Sequence, residues 1–253
     1  MNKYLPKVAG PALVLGAGGI GSEIVRALVA YGATAVAFTY GKNQGAAEEL
    51  KKELEASGVQ VHIGSLDPMN TEALAFFLES AEAVFGQAIS AVVNTVGISP
   101  NTPLEEQTPE EWRQVFEVNV LGSFFSSRFI ASRMKERGVK GSITLITSTN
   151  GINSQSSISA HYDASKAAQG HMMRILAEEY APASIRINGV APGWINTKMN
   201  DTLPEDERAK EMARIWSGRF ADPSEVATFV AFVASTGGSY IYGQNLMIDG
   251  GYR

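Results

Sequence analysis

Tyr162 and Lys166 are the pair of side chains whose types and spacing most clearly suggest chemistry, in the segment HYDASK at 161–166. On a helix, residues four apart share one face, so the ammonium can lie near the phenol oxygen and favour its ionised form. We therefore expect Lys166 to lower the pKa of Tyr162, so that the phenol passes a proton near neutral pH. Ser148, upstream, is a third polar candidate. Without context, the alternative is a surface tyrosine beside a solvated lysine.

A glycine-rich loop follows the first apolar run of the chain, ALVL at 12–15. It has the pattern GxGxxG and consists of Gly16, Ala17, Gly18, Gly19, Ile20 and Gly21. Glycines there permit a tight turn and let backbone N–H groups approach a pyrophosphate at a helix N-terminus. The loop predicts a dinucleotide site, with a plain glycine-rich turn as the alternative. Lys3 and Lys7 before the run also imitate a signal peptide, but a strand entering a phosphate loop explains the segment better.

The end of the second apolar run bears on which dinucleotide is bound. NAD-binding folds often place an acidic side chain there to hold the ribose 2′-hydroxyl, whereas this chain has TYGKN at 39–43. With no carboxylate, and with Lys42 available for a 2′-phosphate, we predict NADP(H), with NAD(H) as the alternative cofactor. Lys42 as an ordinary solvated lysine is the competing interpretation. Further along, Asp67 precedes Pro68, and a helix N-cap and a cofactor contact are equally favoured for it.

Short apolar runs alternate with segments of helical periodicity along the whole chain. The runs that read as buried strands are ALVL (12–15), AVAF (35–38), VQVHI (59–63), AVVN (91–94), ITLI (143–146), IRINGV (185–190) and NLMI (245–248). Two helix starts are marked by a capping side chain followed by proline, at Thr108-Pro109 and Asp222-Pro223. This alternation predicts an α/β fold with a doubly wound parallel sheet covered by helices on both faces.

The chain has 253 residues, which suits one large α/β domain spanning 1–253. We find no linker or short repeat that would divide it. Its formal net charge of −5 offers no cationic surface for a nucleic acid or an anionic membrane. No apolar stretch approaches the length of a membrane-spanning helix. With no cysteine, it lacks disulfides and thiolate chemistry, and we expect a cytoplasmic protein.

Several short motifs occur in an order that resembles the short-chain dehydrogenase/reductase family over essentially the whole chain, in particular its 3-oxoacyl-carrier-protein reductase-like ketoreductases. They are LGAGGIG (15–21), NTVG (94–97), VNVLG (118–122), ITS (146–148), YDASK (162–166), IRINGVAPGWINT (185–197) and IDGGY (248–252). The resemblance implies a single Rossmann-like domain with a parallel sheet of about seven strands. It also implies a nicotinamide cofactor and a homotetramer or homodimer.

The same resemblance implies roles for individual residues. Tyr162 would donate the proton to a substrate carbonyl, Ser148 would hold that oxygen, and Lys166 would bind the nicotinamide ribose. Asn119 would keep a water for proton relay, or else be a structural residue that bends its helix. The cofactor-binding set comprises the glycine loop and Tyr40, Lys42, Asn43, Leu66, Asp67, Asn94, Gly97, Tyr162, Lys166, Pro192, Gly193, Ile195 and Thr197.

The chain also departs from the family pattern. Leu15 stands where the family usually has threonine, and the glycine loop is one residue shorter, so its usual hydrogen bonds to neighbouring strands are not predicted. Val96, in NTVG, adds bulk beside the expected position of the cofactor ribose.

Other candidate sites are less well supported. The chain has no GxSxG elbow or P-loop pattern, and its three histidines share no metal-ligand spacing, so we predict no metal site. We expect His161 to line the site or lie at the surface. The basic group Arg133, Lys135, Arg137 and Lys140 could dock an acyl carrier, although a solvated helix end is favoured. Residues 198–220 are expected to form a mobile lid, with a fixed surface helix as the alternative.

Taken together, the patterns favour an NADP(H)-dependent reductase or dehydrogenase that moves hydride between nicotinamide and a ketone or secondary alcohol. A non-catalytic dinucleotide-binding sensor is the rival from another class, and an epimerase or dehydratase on the same fold is a third. The substrate is not predicted, because a shared fold does not determine the pocket. An acyl-carrier β-ketoester, a sugar, a steroid and a simple ketone all stay open.

Overall fold

Seven parallel strands form one sheet in the computed structural model, which describes residues 5–67, 69–154, 156, 158–197, 200, 203 and 205–253. The strands are β1 (Ala12–Leu15), β2 (Ala35–Tyr40), β3 (Gln60–Ser65), β4 (Ala91–Asn94), β5 (Gly141–Ile146), β6 (Ile185–Pro192) and β7 (Asn245–Ile248). Their order across the sheet is β3-β2-β1-β4-β5-β6-β7. All seven runs predicted as strands are therefore strands, and the predicted fold class is confirmed.

Helices connect the strands and cover both faces of the sheet. They are α1 (Ile20–Ala30), α2 (Gln44–Ala56), α3 (Thr71–Phe85), α4 (Pro109–Phe116), α5 (Ser123–Glu136), α6 (Ala160–Tyr180), α7 (Glu205–Ala213) and α8 (Pro223–Ala234). Side chains of a strand point alternately to its two faces. On β1, Val14 packs with residues of α1, α2 and α8, whereas Leu13 and Leu15 pack with residues of α3, α5 and α6. Both faces are apolar because both are buried.

The two helix starts that the sequence marks are confirmed. The Thr108 hydroxyl accepts a hydrogen bond from the Glu111 N–H at 3.2 Å at the start of α4. At α8, Asp222 accepts from the Ser224 N–H at 2.8 Å, and Glu225 accepts from the Asp222 N–H at 2.8 Å. Each carboxylate or hydroxyl satisfies an N–H group that the first helical turn would otherwise leave unpaired.

A π-helical turn, Glu117–Gly122, joins α4 to α5 so that the two helices continue into one another. It carries the motif VNVLG, with Asn119 fully buried in its middle. Turns of this kind are rare and are frequently found at functional sites. Asn119 is therefore held at a distortion of the helix rather than on a regular helical face.

The segment that imitates a signal peptide contains an interior strand of the sheet, since β1 pairs with both β2 and β4. Over the described ranges, no helix has the length and apolar character needed to cross a membrane.

Candidate active site

A cleft of about 530 Å³ lies at the carboxyl edge of the sheet. In parallel α/β sheets, ligands bind at this edge, outside the ends of the strands. Its walls come from residues that follow β1, β2, β4, β5 and β6. We call the part lined by the glycine loop the cofactor end, and the part lined by Ser148, Tyr162 and Trp194 the substrate end.

The glycine loop is shaped for close approach by a ligand. Gly16 has a φ of +89°, and a Cβ there would lie 2.8 Å from the Thr95 hydroxyl oxygen. A Cβ on Gly21 would collide with the Gly16 carbonyl, whereas Gly18 and Gly19 face open space. Gly16 and Gly21 therefore allow the close packing of the loop, because a side chain at either position would clash. Gly18 and Gly19 leave the backbone uncovered toward the open space.

Two threonines that no sequence motif singled out hold this loop in place. The Gly16 N–H donates to the Thr39 hydroxyl at 2.9 Å, and the Ala17 N–H donates to the Thr39 carbonyl at 2.7 Å. The Thr95 hydroxyl donates to the Gly16 carbonyl at 2.5 Å. The shortened loop therefore does hydrogen-bond to its neighbours. A hydroxyl residue near the carboxyl end of each adjacent strand was the available signal.

The residues present fit a dinucleotide. Helix α1 begins at Ile20, directly after Gly19, which has no side chain to cap it. The positive end of an 11-residue helix therefore faces the open space above Gly18 and Gly19, which suits a pyrophosphate. The predicted cofactor residues that line the cleft are Gly16, Gly18, Gly19, Ile20, Tyr40, Leu66, Gly97, Tyr162, Lys166, Pro192, Gly193, Ile195 and Thr197.

Five other predicted cofactor residues are absent from the described lining of the cleft, namely Gly21, Lys42, Asn43, Asp67 and Asn94. Lys42 is exposed in the loop after β2. The Asn43 side chain caps α2 by accepting from the Ala46 N–H at 3.2 Å. Asp67 accepts from the Met69 N–H at 2.9 Å, while the N-cap of α3 is Asn70. The N-cap interpretation of Asp67 is wrong, because the helix begins three residues later than Pro68 implied.

Two predicted asparagines are buried beside the cleft and have their amides engaged. Asn94 donates to the Ser126 hydroxyl at 3.1 Å and accepts from the Val96 N–H at 3.1 Å. Asn119 accepts from the Ile98 N–H at 2.8 Å and donates to the Ile98 carbonyl at 2.9 Å. Asn119 therefore fixes the chain that follows β4 against the π-helical turn.

Ser148, Tyr162 and Lys166 converge at the substrate end of the cleft. Tyr162 and Lys166 lie on α6, and Ser148 follows β5. The Ser148 hydroxyl hydrogen-bonds to the Tyr162 phenol. The Lys166 Nζ lies 5.6 Å from the centre of the Tyr162 ring. It donates to the Ile146 carbonyl at 2.8 Å, which fixes the lysine against the end of β5.

The protonation of this group differs from the expectation. Burial raises the pKa of Tyr162 to about 12, while the Ser148 hydrogen bond lowers it and the Asp163 charge raises it. Burial also lowers the pKa of Lys166 to about 7. The prediction that Lys166 brings the Tyr162 pKa down to neutrality is wrong for the protein alone, because desolvation of the phenolate by burial is the largest influence and outweighs the lowering by Ser148. Tyr162 is therefore a protonated donor at neutral pH.

His161 lies on a different face of α6 from Tyr162 and is fully buried. Its Nε2 lies 3.6 Å from the Glu111 carboxylate, and its ring centre lies 6.0 Å from that of Trp112. The expectation that it lines the site or reaches the surface is wrong, because α4 covers this side of α6.

The basic group at the end of α5 is paired with acidic side chains. Arg133 lies 2.9 Å from the Glu82 carboxylate, and Arg137 also contacts it. Lys135 lies 3.3 Å from Glu179. These pairs favour the helix-end interpretation over an acyl-carrier docking surface, because three of the four cations already contact local carboxylates.

The predicted lid contains α7 and is tied to two other segments of the chain. Lys198, Met199, Asp201, Thr202 and Pro204 fall outside the described residues. The Glu211 carboxylate on α7 accepts from the Trp194 indole N–H at 3.0 Å and from the Tyr252 hydroxyl at 2.5 Å. Burial, followed by the contact with Glu211, raises the pKa of Tyr252 to about 12. Helix α7 is thereby held against Trp194, which follows β6, and against Tyr252 near the C-terminus.

Comparison with known proteins agrees with this geometry. A family model described as enoyl-(acyl carrier protein) reductase matches residues 15–253. The chain is 34% identical over 243 residues to 3-oxoacyl-acyl-carrier-protein reductase of Salmonella typhimurium, covering 95% of this chain and 96% of that protein. It is 36% identical over 247 residues to galactitol 2-dehydrogenase (L-tagatose-forming) of Cereibacter sphaeroides, covering 95% and 94%. A solved short-chain dehydrogenase/reductase from Serratia marcescens gives a TM-score of 0.87 at 32% identity, covering 97% of this chain and 98% of that one.

Proposed function

Because the chain belongs to the short-chain dehydrogenase/reductase family, we propose that it transfers hydride between NADP(H) and a ketone or secondary alcohol, with Tyr162 as proton donor. The family resemblance of the sequence is confirmed, and the protein is a carbonyl or alcohol oxidoreductase that uses a nicotinamide dinucleotide. The choice of NADP(H) and the roles of individual residues are what we propose in addition to this family membership.

The observation that carries the proposal is the convergence of Ser148 and Tyr162 on the cleft that also contains the open glycine loop. A bound nicotinamide dinucleotide supplies the hydride, so that a ketone, the reduced cofactor and one proton become a secondary alcohol and the oxidised cofactor. The protein must then hold the carbonyl oxygen and deliver the proton to it.

Tyr162 is suited to deliver that proton, because its raised pKa keeps the phenol protonated at neutral pH. The Ser148 hydroxyl, beside the phenol, would hold the same carbonyl oxygen. Lys166 lies beneath the Tyr162 ring with its Nζ fixed at the end of β5, where it would bind the nicotinamide ribose. Asn119 would act at one remove, by holding the chain after β4 and contacting Ser165 at 3.0 Å.

The preference for NADP(H) is supported by the loop after β2. It carries no carboxylate, and the exposed Lys42 is one residue beyond Gly41, which lines the cleft. A charge-assisted contact to a phosphate contributes roughly 1.5–3 kcal/mol, which corresponds to about tenfold to a hundredfold in affinity. The Lys42→Ala variant should therefore lose most of its preference for NADPH over NADH.

The test is a fluorescence titration of the protein with both reduced cofactors, followed by NADPH consumption with a panel of ketones. Equal or tighter binding of NADH contradicts the choice of cofactor. Cofactor binding without consumption by any ketone would favour a sensor, and conversion of substrate without net consumption would favour an epimerase or dehydratase. A cytoplasmic location, a homotetramer or homodimer, and a single domain over 1–253 are proposed on the family resemblance.

A further inference from the structure

The wall of the cleft beyond Ser148 is made of hydroxyl and amide groups. It is formed by the loop between β5 and α6, and we call it the polar wall. Its described members that line the cleft are Thr149, Asn150, Ser154, Ser156 and Ser159, with Ile158 among them. Ser99, Asn101, Thr197 and Asn200 add further neutral polar groups elsewhere around the cleft. Such groups recognise hydroxyls by donating and accepting hydrogen bonds.

Charge is scarce in this cleft. Among the lining residues that the structure describes, there is no aspartate, glutamate or arginine, and Lys166 is the sole lysine. Lys166 already donates to the Ile146 carbonyl at 2.8 Å and to the Gln169 side chain at 3.0 Å. A buried charge without a partner is costly. The described part of the substrate end thus favours a neutral substrate over one that carries a carboxylate or phosphate.

One carboxylate behind the polar wall holds it in place. Asp163 accepts from the Asn150 side-chain amide at 2.7 Å and from the Ser159 hydroxyl at 2.9 Å. Its other oxygen accepts from the Ser156 N–H at 2.7 Å. Bonds to an ionised acceptor are stronger than neutral ones. Three parts of the loop are thereby fastened to a single residue on α6.

These bonds also set the orientation of the groups that face the cleft. Because a carboxylate only accepts, Asn150 must turn its NH₂ toward Asp163, and its carbonyl oxygen then accepts from the Ser154 hydroxyl at 3.0 Å. The Asn150 N–H donates to the Ser148 hydroxyl oxygen at 3.2 Å. Ser148 therefore accepts from the loop, and its own proton is left for the Tyr162 phenol or for a substrate oxygen beside it.

We propose that the polar wall binds the hydroxyl groups of a neutral, polyhydroxylated ketone or its alcohol, and that Asp163 is the positioning residue that holds the wall for them. The inference rests on the proposed function and specifies its substrate class. Asp163 acts through Asn150, Ser156 and Ser159, since it is not itself among the residues that line the cleft.

A four-carbon series tests the substrate class with chain length held constant. The probes are 2-butanone, 1,3,4-trihydroxybutan-2-one and 3-oxobutanoate, each reduced with NADPH, or with NADH if that cofactor binds more tightly. We expect kcat/KM for the trihydroxy ketone to exceed that of 2-butanone by at least about tenfold, as one or two added hydrogen bonds provide. A preference for 2-butanone or 3-oxobutanoate overturns the inference but leaves the proposed reaction standing.

A binding measurement keeps the two proposals separate. Calorimetric titration of the protein with cofactor present should show that the alcohol butane-1,2,3,4-tetrol binds more tightly than 2-butanol. If no ketone is reduced, the proposed reaction fails, and this titration alone decides on the polar wall. Equal or weaker binding of the tetrol contradicts the inference.

The Asp163→Asn variant tests the positioning role. We expect it to lower the preference for the trihydroxy ketone over 2-butanone by about three- to tenfold, because the wall loses an ionic acceptor. Taking this ratio cancels any effect on the chemical step, which both ketones share. The matched control is Glu178→Gln, which removes an exposed charge from the same helix and should leave the ratio unchanged.

A second variant guards against misfolding of the first. Ser154→Ala removes one hydroxyl of the polar wall and should lower the same ratio severalfold, while circular dichroism shows that each variant is folded. An unchanged ratio in folded Asp163→Asn, or in Ser154→Ala if the former does not fold, overturns the assignment.

Discussion

The two ends of the cleft are built by different means. At the cofactor end, the decisive feature is missing side chains, since Gly18 and Gly19 leave the backbone open and Gly16 and Gly21 allow close packing. At the substrate end, the decisive feature is a network of side chains that runs from Asp163 to Ser148. A site made by backbone accepts any ligand of one shape, whereas a site made by side chains can be altered residue by residue. The first suits a common cofactor and the second a particular substrate.

Tyr162→Phe should separate the two ends most sharply. Removing the phenol oxygen removes the proton donor, and lost acid/base groups typically cost about 10²–10⁴-fold in turnover. Cofactor affinity should change little, because the glycine loop is untouched. Single-turnover kinetics and cofactor titration of the variant measure both. Near-normal turnover would show that Tyr162 is not the acid and would revive the sensor interpretation.

Gly21→Ala should damage the cofactor end instead. The added Cβ would collide with the Gly16 carbonyl, and overpacking of this kind costs roughly 1–3 kcal/mol. If half or more of that strain appears on binding, cofactor affinity falls about twofold or more. Isothermal titration calorimetry measures the loss of cofactor affinity, and the free energy of unfolding in urea measures the loss of stability.

Gly45→Ala serves as the matched control, because its Cβ would meet only the Asn43 side chain at 3.9 Å, at an exposed position of α2. This control should bind cofactor normally and be slightly more stable, since alanine is the better helix former. If Gly21→Ala behaves like the control, the close packing of the loop is unimportant for binding.

The lowered pKa of Lys166 should make the free energy of unfolding depend on pH. Burial lowers its pKa from 10.5 to about 7, so between these values the unfolded chain holds a proton that the folded protein has released. Stability therefore rises with pH in this window, by up to about 1.4 kcal/mol per unit. The raised pKa of Tyr162 opposes this only above pH 10, where the unfolded tyrosine begins to ionise.

Urea unfolding at pH 7, 8 and 9 should show this rise in the wild type and a smaller one in Lys166→Met. The exposed Lys140→Met variant is the control and should keep the wild-type slope. Parallel slopes in all three proteins would mean that Lys166 stays protonated in the fold.

Glu211→Gln should have a local effect on α7 and bears on the predicted lid. Weakening the contacts to Trp194 and Tyr252 should speed hydrogen exchange in α7 by about fivefold, as the loss of roughly 1 kcal/mol implies. Glu207→Gln, which removes an exposed pair with Lys210, is the control on the same helix. Equal exchange in the two variants would contradict the fastening role of Glu211.

The difference between the ends also explains what the sequence could predict. Strand runs, helix caps and the glycine loop are local patterns, and they led to the fold and to most of the cofactor end. Burial is decided by tertiary packing, so the sequence misplaced His161 and assigned the wrong direction to the Tyr162 pKa. The roles of Thr39 and Thr95 as partners of the loop depend on strand order, which no local pattern encodes.

Asp163 shows a further limit of prediction from the sequence. It stands inside the motif YDASK, where only the tyrosine and lysine attracted a chemical interpretation. Its partners lie 4 to 13 positions away on a loop with no regular period. A carboxylate one residue from the candidate acid was visible in the sequence, but its direction required the structure.

The π-helical turn at Glu117–Gly122 also rotates the residues of α5 about the helix axis relative to those of α4. A wider turn takes up one more residue than an α-helical one, and each residue advances the helix by ~100°. Helix α4 can thus point Glu111 toward His161 on α6, while α5 turns Ile130 into the core against the sheet. A one-residue deletion inside the turn would remove this rotation. Either Glu111 would then turn away from His161, or Ile130 would turn away from the core.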